Sequence, residues 1–424
     1  MGRVQALKEW WGGVDRGERL LVGAAMALAA AIVVAYVLAT RPNELGGDQV
    51  VYDAYGRFWA EGRLWWSELP YGTPHASAWK APLYPAWVGI VYSILGVGPA
   101  KVAILQGLVF APLTVLAAWL LARRLFGRRT AIATAFAVAA FPLSWEYIGL
   151  LYPEAMAIPI ALVALNLFLE RPPTARLAIA TGATIAVAML VRPNMLFLFA
   201  GALAAWWIAA GPKRAFVALG VGVATAALIV APWTIRNLSA ADGFVPISIQ
   251  DAAVYGTFNE VAANDPERPY EWRAFYEPLP EVLREPGTSD AELRRELIGE
   301  ATDYISEHPF SVVEAFYWNG LVRFWDLRPP GGAVADALPG GQSEPVVIGG
   351  FVLYWVALAL ALWCLWRFRR RIALVVPLLA IAVAASITVI PDAATRYRAP
   401  LEPVIAMLAC AAVLGRPGPQ RTEE

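Results

Sequence analysis

Residues 46–62 read GGDQVVYDAYGRFWAEG. A glycine pair interrupts the chain, an acidic residue follows, and Val51, Tyr55, Phe58 and Trp59 then recur at helical spacing. That spacing predicts an amphipathic helix with one apolar face. Such a helix would lie on a membrane surface and aim Asp48 back over whatever the flanking segments build.

The flanking segments are apolar. A membrane span needs about 20 mostly apolar residues, and ten windows fit: 20–39, 100–122, 130–149, 152–169, 175–191, 194–210, 215–235, 347–366, 372–390 and 399–414. The first is long for a secretory leader and lacks a small-residue cleavage pattern, so it reads as an uncleaved anchor. Composition agrees. The 424 residues are 58% hydrophobic and 16% charged, with mean hydropathy +0.52. Soluble domains are about 45–50% apolar and about 25% charged, so an ordinary cytosolic enzyme and a disordered chain are both excluded. The 34 Lys and Arg balance 34 Asp and Glu, which excludes a generally basic nucleic-acid binder. Two cysteines inside apolar runs and two histidines supply neither a disulfide framework nor a histidine metal cage.

The placement of basic residues sets orientation, because short cytoplasmic segments collect Lys and Arg. With the N-terminus inside, the inside segments hold Arg3, Lys8, Arg16 and Arg19; Arg123, Arg124, Arg128 and Arg129; Arg171 and Arg176; Lys213 and Arg214; Arg367, Arg369, Arg370 and Arg371; and Arg416 and Arg421. Residues 82–97, PLYPAWVGIVYSILGV, are apolar but short. Were they to cross, the basic cluster at 123–129 would face outside, so they are expected to lie in the outer interface. Both termini are then cytoplasmic. The outer regions are 40–99 and 236–346, the second with helices expected near 289–306 and 308–326. The later of these suits an interfacial helix. The expected architecture is an all-α polytopic membrane protein, one membrane-embedded domain over 1–424. It comprises a transmembrane module over 1–235, an extracytoplasmic loop at 236–346 and C-terminal transmembrane helices over 347–424.

Charges at membrane depth are costly and mark function. Here they gather at the outer ends of the windows: Asp48; Lys80 in AWKAPLYP; Glu154 in the turn EYIGLLYPEAM; Arg192 before Pro193; Arg236 in APWTIRN; and Arg396, Tyr397 and Arg398 in PDAATRYRAP. His75 and Tyr55 lie in the same outer loop and complete the candidate substrate-binding set. For several of these a plain reading competes. Lys80 could snorkel, Glu154 could complement a helix N-terminus, and one or both of Arg396 and Arg398 could be interfacial anchors. Arginine suits a phosphate because it binds bidentately. Carboxylates facing cations around one cavity suggest a general base opposite a phosphate leaving group. No phosphate-binding glycine loop, dinucleotide fingerprint or zinc-protease motif is present.

The order of these fragments resembles the GT-C glycosyltransferases, in particular the bacterial branch related to dolichyl-phosphate-mannose protein mannosyltransferases and the lipid A aminoarabinose transferase. The resemblance rests on GDQVVYDAYGRFWAEG with KAPLYP, RLFGRRTAIATAFAVAAFPL, LVRPN, APWTIRN and TRYRAP. It implies a GT-C-like bundle of about ten transmembrane helices, with interfacial helices in the first outer loop and a large outer loop between the seventh and eighth spans. It implies a polyprenyl-phosphate-linked sugar as donor, inversion at the anomeric carbon, and a protein, glycan or lipid acceptor on the outer side of a bacterial cytoplasmic membrane. Asp48 would be the catalytic base, and Lys80 with the arginines would hold the phosphate. No cofactor is required, and a divalent metal, with Asp48 and Glu154 as candidate ligands, is left open. The chain departs from the family in three ways. Gln49 follows Asp48 where the mannosyltransferases have an Asp-Glu pair, Trp65-Trp66-Ser67-Glu68 is not the oligosaccharyltransferase motif, and no soluble sugar-binding domain is expected after the tenth window. The competing readings are a lipid or polysaccharide transporter and a non-catalytic envelope-assembly partner.

Overall fold

The computed structural model describes residues 14–40, 45–68, 72–273, 288–338 and 341–415. Arg3, Lys8, Arg416 and Arg421 lie outside the described residues. The chain opens with α1 (Arg16–Thr40) and α2 (Asp48–Ala60), then pairs β1 (Trp66–Ser67) antiparallel with β2 (His75–Ala76). Next come α3 (Leu83–Leu95), α4 (Pro99–Phe126), α5 (Arg128–Ala140), α6 (Pro142–Ile148), α7 (Glu154–Phe168) and α8 (Ala175–Val191). A 3-10 turn (Pro193–Phe197) leads into α9 (Leu198–Ala210) and α10 (Pro212–Ala240). The later loop holds α11 (Val254–Thr257), α12 (Glu260–Ala263), α13 (Asp290–Glu307), α14 (Ser311–Ala315) with a π-helical continuation (Phe316–Arg323), and α15 (Pro330–Ala337). The chain closes with α16 (Glu344–Arg367), α17 (Ile372–Thr388), a 3-10 segment (Thr395–Leu401) and α18 (Glu402–Leu414).

Each of the ten apolar windows is helical, but they are not ten equal spans. By length and composition six segments can cross a membrane: α1, α4, Pro193–Ala210, α10, α16 and Thr395–Leu414. The pair α5 and α6, bent by 54°, makes a seventh. The windows at α7, α8 and α17 are helices of 15, 17 and 17 residues. Prolines set their limits: Pro153 precedes α7, Pro193 follows α8 at one residue, and Pro391 lies just beyond α17. Proline disfavours helix in the residue before it. Beside each of these prolines sits a polar residue, Glu154, Arg192 or Asp392.

The two ends of the bundle differ in charge. At one end Glu18 pairs with Arg123 at 2.9 Å, Asp15 with Arg128 at 2.7 Å and Glu170 with Arg371 at 2.6 Å. Arg124 donates to the Leu169 carbonyl and Arg367 to that of Ala412. These are segments that the charge rule groups inside. The residues assigned to the outside gather at the other end.

Helix α3 has 13 residues, about 20 Å of helix at 1.5 Å per residue, short of a hydrocarbon core of about 30 Å. It packs on α2, with the Trp59 ring laid on Gly89 and Gly56 set against Val88 and Tyr92. That packing turns α2 from the expected face. The buried residues are Gln49, Tyr52, Asp53, Tyr55, Gly56 and Phe58, whereas Val51 and Trp59 are only partly covered. Asp53 is held by Tyr92 Oη at 2.5 Å and by Arg57, so a polar residue occupies a position that hydropathy alone assigns outward.

The segment 308–326 is helical, with a change of winding. There α14 continues into a π-helix, and the segment buries Asn319, Gly320 and Arg323 and leaves Phe310, Val313 and Tyr317 exposed, a one-sided pattern compatible with the expected interfacial helix. Asn319 is fully buried and donates to the carbonyls of Tyr270 and Ile390 at 2.7 and 2.8 Å. Its polar side chain finds partners on distant segments, which sequence spacing does not reveal.

Small residues allow the closest helix crossing. A Cβ on Gly182 of α8 would lie 2.1 Å from the Gly222 carbonyl oxygen of α10. Membrane helices associate through such close backbone approach. Gly182→Ala should therefore cost about 1–3 kcal/mol through overpacking, read as earlier thermal unfolding in detergent. An unchanged midpoint would show that the two helices separate without cost.

Candidate functional site

Asp48 is the first residue of α2, which follows the turn at Gly46-Gly47. The positive φ of Gly47, 53°, lets the chain reverse into the helix there. One carboxylate oxygen of Asp48 accepts from Lys80 Nζ at 3.1 Å, and the other meets Arg396 Nη2 at 2.8 Å. Lys80 arrives from the loop after β2, and Arg396 from the 3-10 segment before α18. Arg192, in extended conformation after α8, reaches the same place. Its guanidinium lies 4.2 Å above the Tyr397 ring, and it bonds Glu154, the first residue of α7. The Arg396 guanidinium stacks at 5.2 Å from Tyr397 and 5.1 Å from Tyr152, and the Lys80 ammonium at 5.6 Å from Tyr52. Tyr397 Oη in turn donates to Asp392.

Three cations thus share one place with the carboxylates of Asp48, Glu154 and Asp392, and each cation rests on a tyrosine face. Ring quadrupoles attract cations while offering no competing charge. Burial alone would raise the Asp48 pKa; the Lys80 and Arg396 charges outweigh it and hold the carboxyl well below the usual carboxylate range. Burial also draws the Lys80 ammonium below its ordinary value, opposed by Asp48. The Arg396 Nε and Glu154 Oε2 atoms are buried and unbonded to any protein group. Among the described residues no group of three or more His, Cys, Asp or Glu side chains converges as a metal site. The carboxylates of Asp48 and Glu154 are committed to cations. This donor set fits an anion between cations better than a divalent ion between carboxylates.

The remaining candidates lie elsewhere. Arg236 donates to the carbonyl of Ser77 at 2.8 Å and stacks over Trp233 at 4.7 Å. Tyr55 Oη donates to Ser77 Oγ at 3.2 Å. His75 places Nδ1 3.0 Å from the Thr73 carbonyl and Nε2 3.3 Å from Asp290 Oδ1. Burial opposes its protonation, and the bond to Asp290, the Thr73 carbonyl and the Asp290 charge together outweigh this, raising its pKa. These three residues hold the strand that leads to Lys80 and stand outside the cation cluster. Arg398 is fully buried in another network, bonded to Glu402 at 2.5 Å, to the Phe324 carbonyl and to Asp326 at 3.0 Å, with the Tyr354 ring beneath it at 3.7 Å.

Reading by hydropathy passes over Tyr52 and Asp290. Tyr52 is one position away from the face that apolar spacing selects. Asp290 follows Ser289, whose hydroxyl caps α13 by accepting from the Glu292 amide, so the pair reads as an ordinary helix start.

Residues 79–235 match the family described as dolichyl-phosphate-mannose-protein mannosyltransferase. The match takes in Lys80, Glu154 and Arg192 and leaves Asp48 and Arg396 outside it. No curated protein matches the chain in sequence. Among solved structures, the oligosaccharyltransferase AglB of Archaeoglobus fulgidus, in complex with an inhibitory peptide and a dolichol-phosphate, aligns with a TM-score of 0.52 at 18% identity. The alignment covers 93% of this chain and 50% of that one. The same enzyme tethered to an acceptor peptide aligns with a TM-score of 0.51 at 17% identity, over 92% and 49% of the two chains. This chain therefore spans about half the length of the oligosaccharyltransferase it matches. ArnT of Cupriavidus metallidurans, bound to undecaprenyl phosphate, aligns at 15% identity over 92% and 78% of the chains with a TM-score of 0.44. Over 92–93% of its length the chain shares the fold of these oligosaccharyltransferase structures, and its residues 79–235 are similar to the dolichyl-phosphate-mannose-protein mannosyltransferases.

Proposed function

We propose that this protein is an inverting glycosyltransferase that takes a sugar from a polyprenyl-phosphate donor and passes it to an acceptor hydroxyl on the outer side of the membrane. The observation that carries the reading is Asp48 held between Lys80 and Arg396, with Arg192 across the Tyr397 ring. The fold supports it, as does the dolichol-phosphate in the AglB complex.

In this mechanism the donor phosphate binds Lys80, Arg192 and Arg396. As those cations turn to the phosphate, Asp48 loses part of the charge that suppresses its basicity. Its carboxylate then takes the proton from the acceptor hydroxyl. The acceptor oxygen bonds the anomeric carbon from the face opposite the phosphate. The bond from that carbon to the phosphate oxygen breaks, and its electron pair leaves with the polyprenyl phosphate. Preorganised cations stabilise this developing charge without solvent reorganisation. The ten helical windows are assigned as ten crossings, with the basic ends and both termini on the cytoplasmic side.

The test is a reconstituted assay with a panel of radiolabelled polyprenyl-phosphate sugars and hydroxyl acceptors. One donor should release polyprenyl phosphate and label one acceptor. If folded protein binds none of these donors, the proposal fails and a carrier or scaffold takes its place.

A further inference from the structure

The strand that presents Lys80 is gripped by one buried carboxylate from a distant part of the chain. Asp290, the first residue of α13, is 2% exposed. Its Oδ2 accepts from the Ala78 amide at 2.6 Å and from Ser77 Oγ at 3.0 Å, and its Oδ1 faces His75 Nε2 at 3.3 Å. Ser77 Oγ also accepts from the Trp79 amide at 3.0 Å and from Tyr55 Oη at 3.2 Å. Tyr55 belongs to α2, the helix that begins with Asp48. The carboxylate therefore ties down His75, Ser77 and Ala78 of the Lys80 segment and, through Ser77, the helix of the proposed base.

Asp290 is itself well placed. Ser289 caps α13, and the Ala291 amide donates to the Ala241 carbonyl at the end of α10 at 3.0 Å. Helix α10 grips the same segment from the other side, through Arg236 and the Ser77 carbonyl. The Ile249 amide donates to the Ala78 carbonyl at 3.0 Å. Two residues further on, Lys80 must meet Asp48. A lysine side chain is flexible and has no geometric preference of its own, so the position of its backbone decides where the ammonium sits.

We propose that Asp290 is a positioning residue for Lys80. It sets the distance between that ammonium and the Asp48 carboxylate, and so couples the later outer loop to the phosphate site. The inference rests on the assignment of Lys80 to the donor phosphate, and the test separates the two. Asp290 touches neither donor nor acceptor. It acts by holding a short backbone segment in register.

The experiment compares wild type, Asp290→Ala, Lys80→Met and the double variant, in detergent. Hydrogen exchange is read at the amides of Ala78 and Trp79, and affinity is measured with polyprenyl phosphate itself. In Asp290→Ala the Ala78 amide should exchange at least about ten-fold faster, because its buried acceptor is gone, and the Trp79 amide should follow, because Ser77 Oγ, its acceptor, loses the bond that holds it. Exchange in α4 and α16 should stay as in wild type. Affinity for polyprenyl phosphate should fall about ten-fold, and the same change in the Lys80→Met background should add little, since contacts acting through one residue are not additive. Unchanged exchange at Ala78 and Trp79 overturns the proposal. So does a full ten-fold penalty in the Lys80→Met background. If wild type binds no polyprenyl phosphate, the assignment of the phosphate site falls while the exchange result still decides the role of Asp290. Should Asp290→Ala fail to fold, Asp290→Ser replaces it, whose shorter side chain cannot reach the Ala78 amide, with the same exchange criterion.

Discussion

Asp48→Asn should lower the release of polyprenyl phosphate by about 10³-fold while leaving donor binding intact. The substitution keeps the shape of the side chain and one carbonyl oxygen for Lys80, but removes the group that can take a proton. Loss of a positioned general base costs about 10²–10⁴-fold. Binding should hold or tighten, because Lys80 and Arg396, which now share the Asp48 charge at 3.1 and 2.8 Å, both become free for the phosphate. This separation of turnover from affinity distinguishes a base from a structural ion pair. A carboxylate that only braced Lys80 and Arg396 would, on removal, let both cations drift and weaken binding as well. Turnover and affinity measured side by side on the same preparation make the comparison, and a variant that turns over at the wild-type rate removes Asp48 from the mechanism.

Arg396→Met carries the second large effect. The methionine keeps an unbranched stem against Tyr152 and Tyr397 and removes the charge. Losing one preorganised partner for developing oxyanion charge costs about 10²–10³-fold in turnover. The pH profile should change too, and the sign follows from the position of Asp48. In the native protein the Lys80 and Arg396 charges outweigh burial and keep Asp48 ionised well below the usual carboxylate range. Without Arg396, one of those two charges is gone and burial counts for more, so the Asp48 pKa rises. A base works only when ionised. The variant should therefore lose activity on acidification at a higher pH than wild type does. An acid limb at the same pH in both proteins would show that Arg396 does not govern the base, whatever its effect on the rate. Arg398→Met serves as the contrast. Arg398 has no place in the Asp48 cluster, being bonded to Asp326 and Glu402, so its loss should show first in thermal stability.

The contrast between these two arginines shows where reading the sequence stops. TRYRAP announces a cationic mouth, but both arginines look equivalent there. The segment folds as a 3-10 helix, with three residues per turn. Residues two apart then point about 240° around the axis from each other. Arg396 faces Asp48, and Arg398 turns into a closed network with Tyr354. The same limit applies to α2, where the apolar spacing of Val51, Tyr55, Phe58 and Trp59 indicated a helix. The covered face includes Tyr52 and Asp53 instead, because Gly56 and Gly89 let α3 approach from that side. Arg236, His75 and Tyr55 carried the right chemistry for a substrate site, yet they brace the segment before Lys80.

Sequence alone was enough for the membrane bundle, for the likeness of its fragments to the GT-C enzymes, and for the shortlist of charges at one end. Ten apolar runs leave few alternatives, because backbone amides in a hydrocarbon layer must bond within their own helix. Charged residues beside such runs stand out because burying them is costly. Which of those charges meet emerged only from the folded chain. Asp48, Lys80, Arg192 and Arg396 come from four separate elements, and Asp290 reaches its partners across more than two hundred residues of chain. Hydropathy is a property of one segment. The pairing of ions depends on the helix rotations and loop paths that packing fixes.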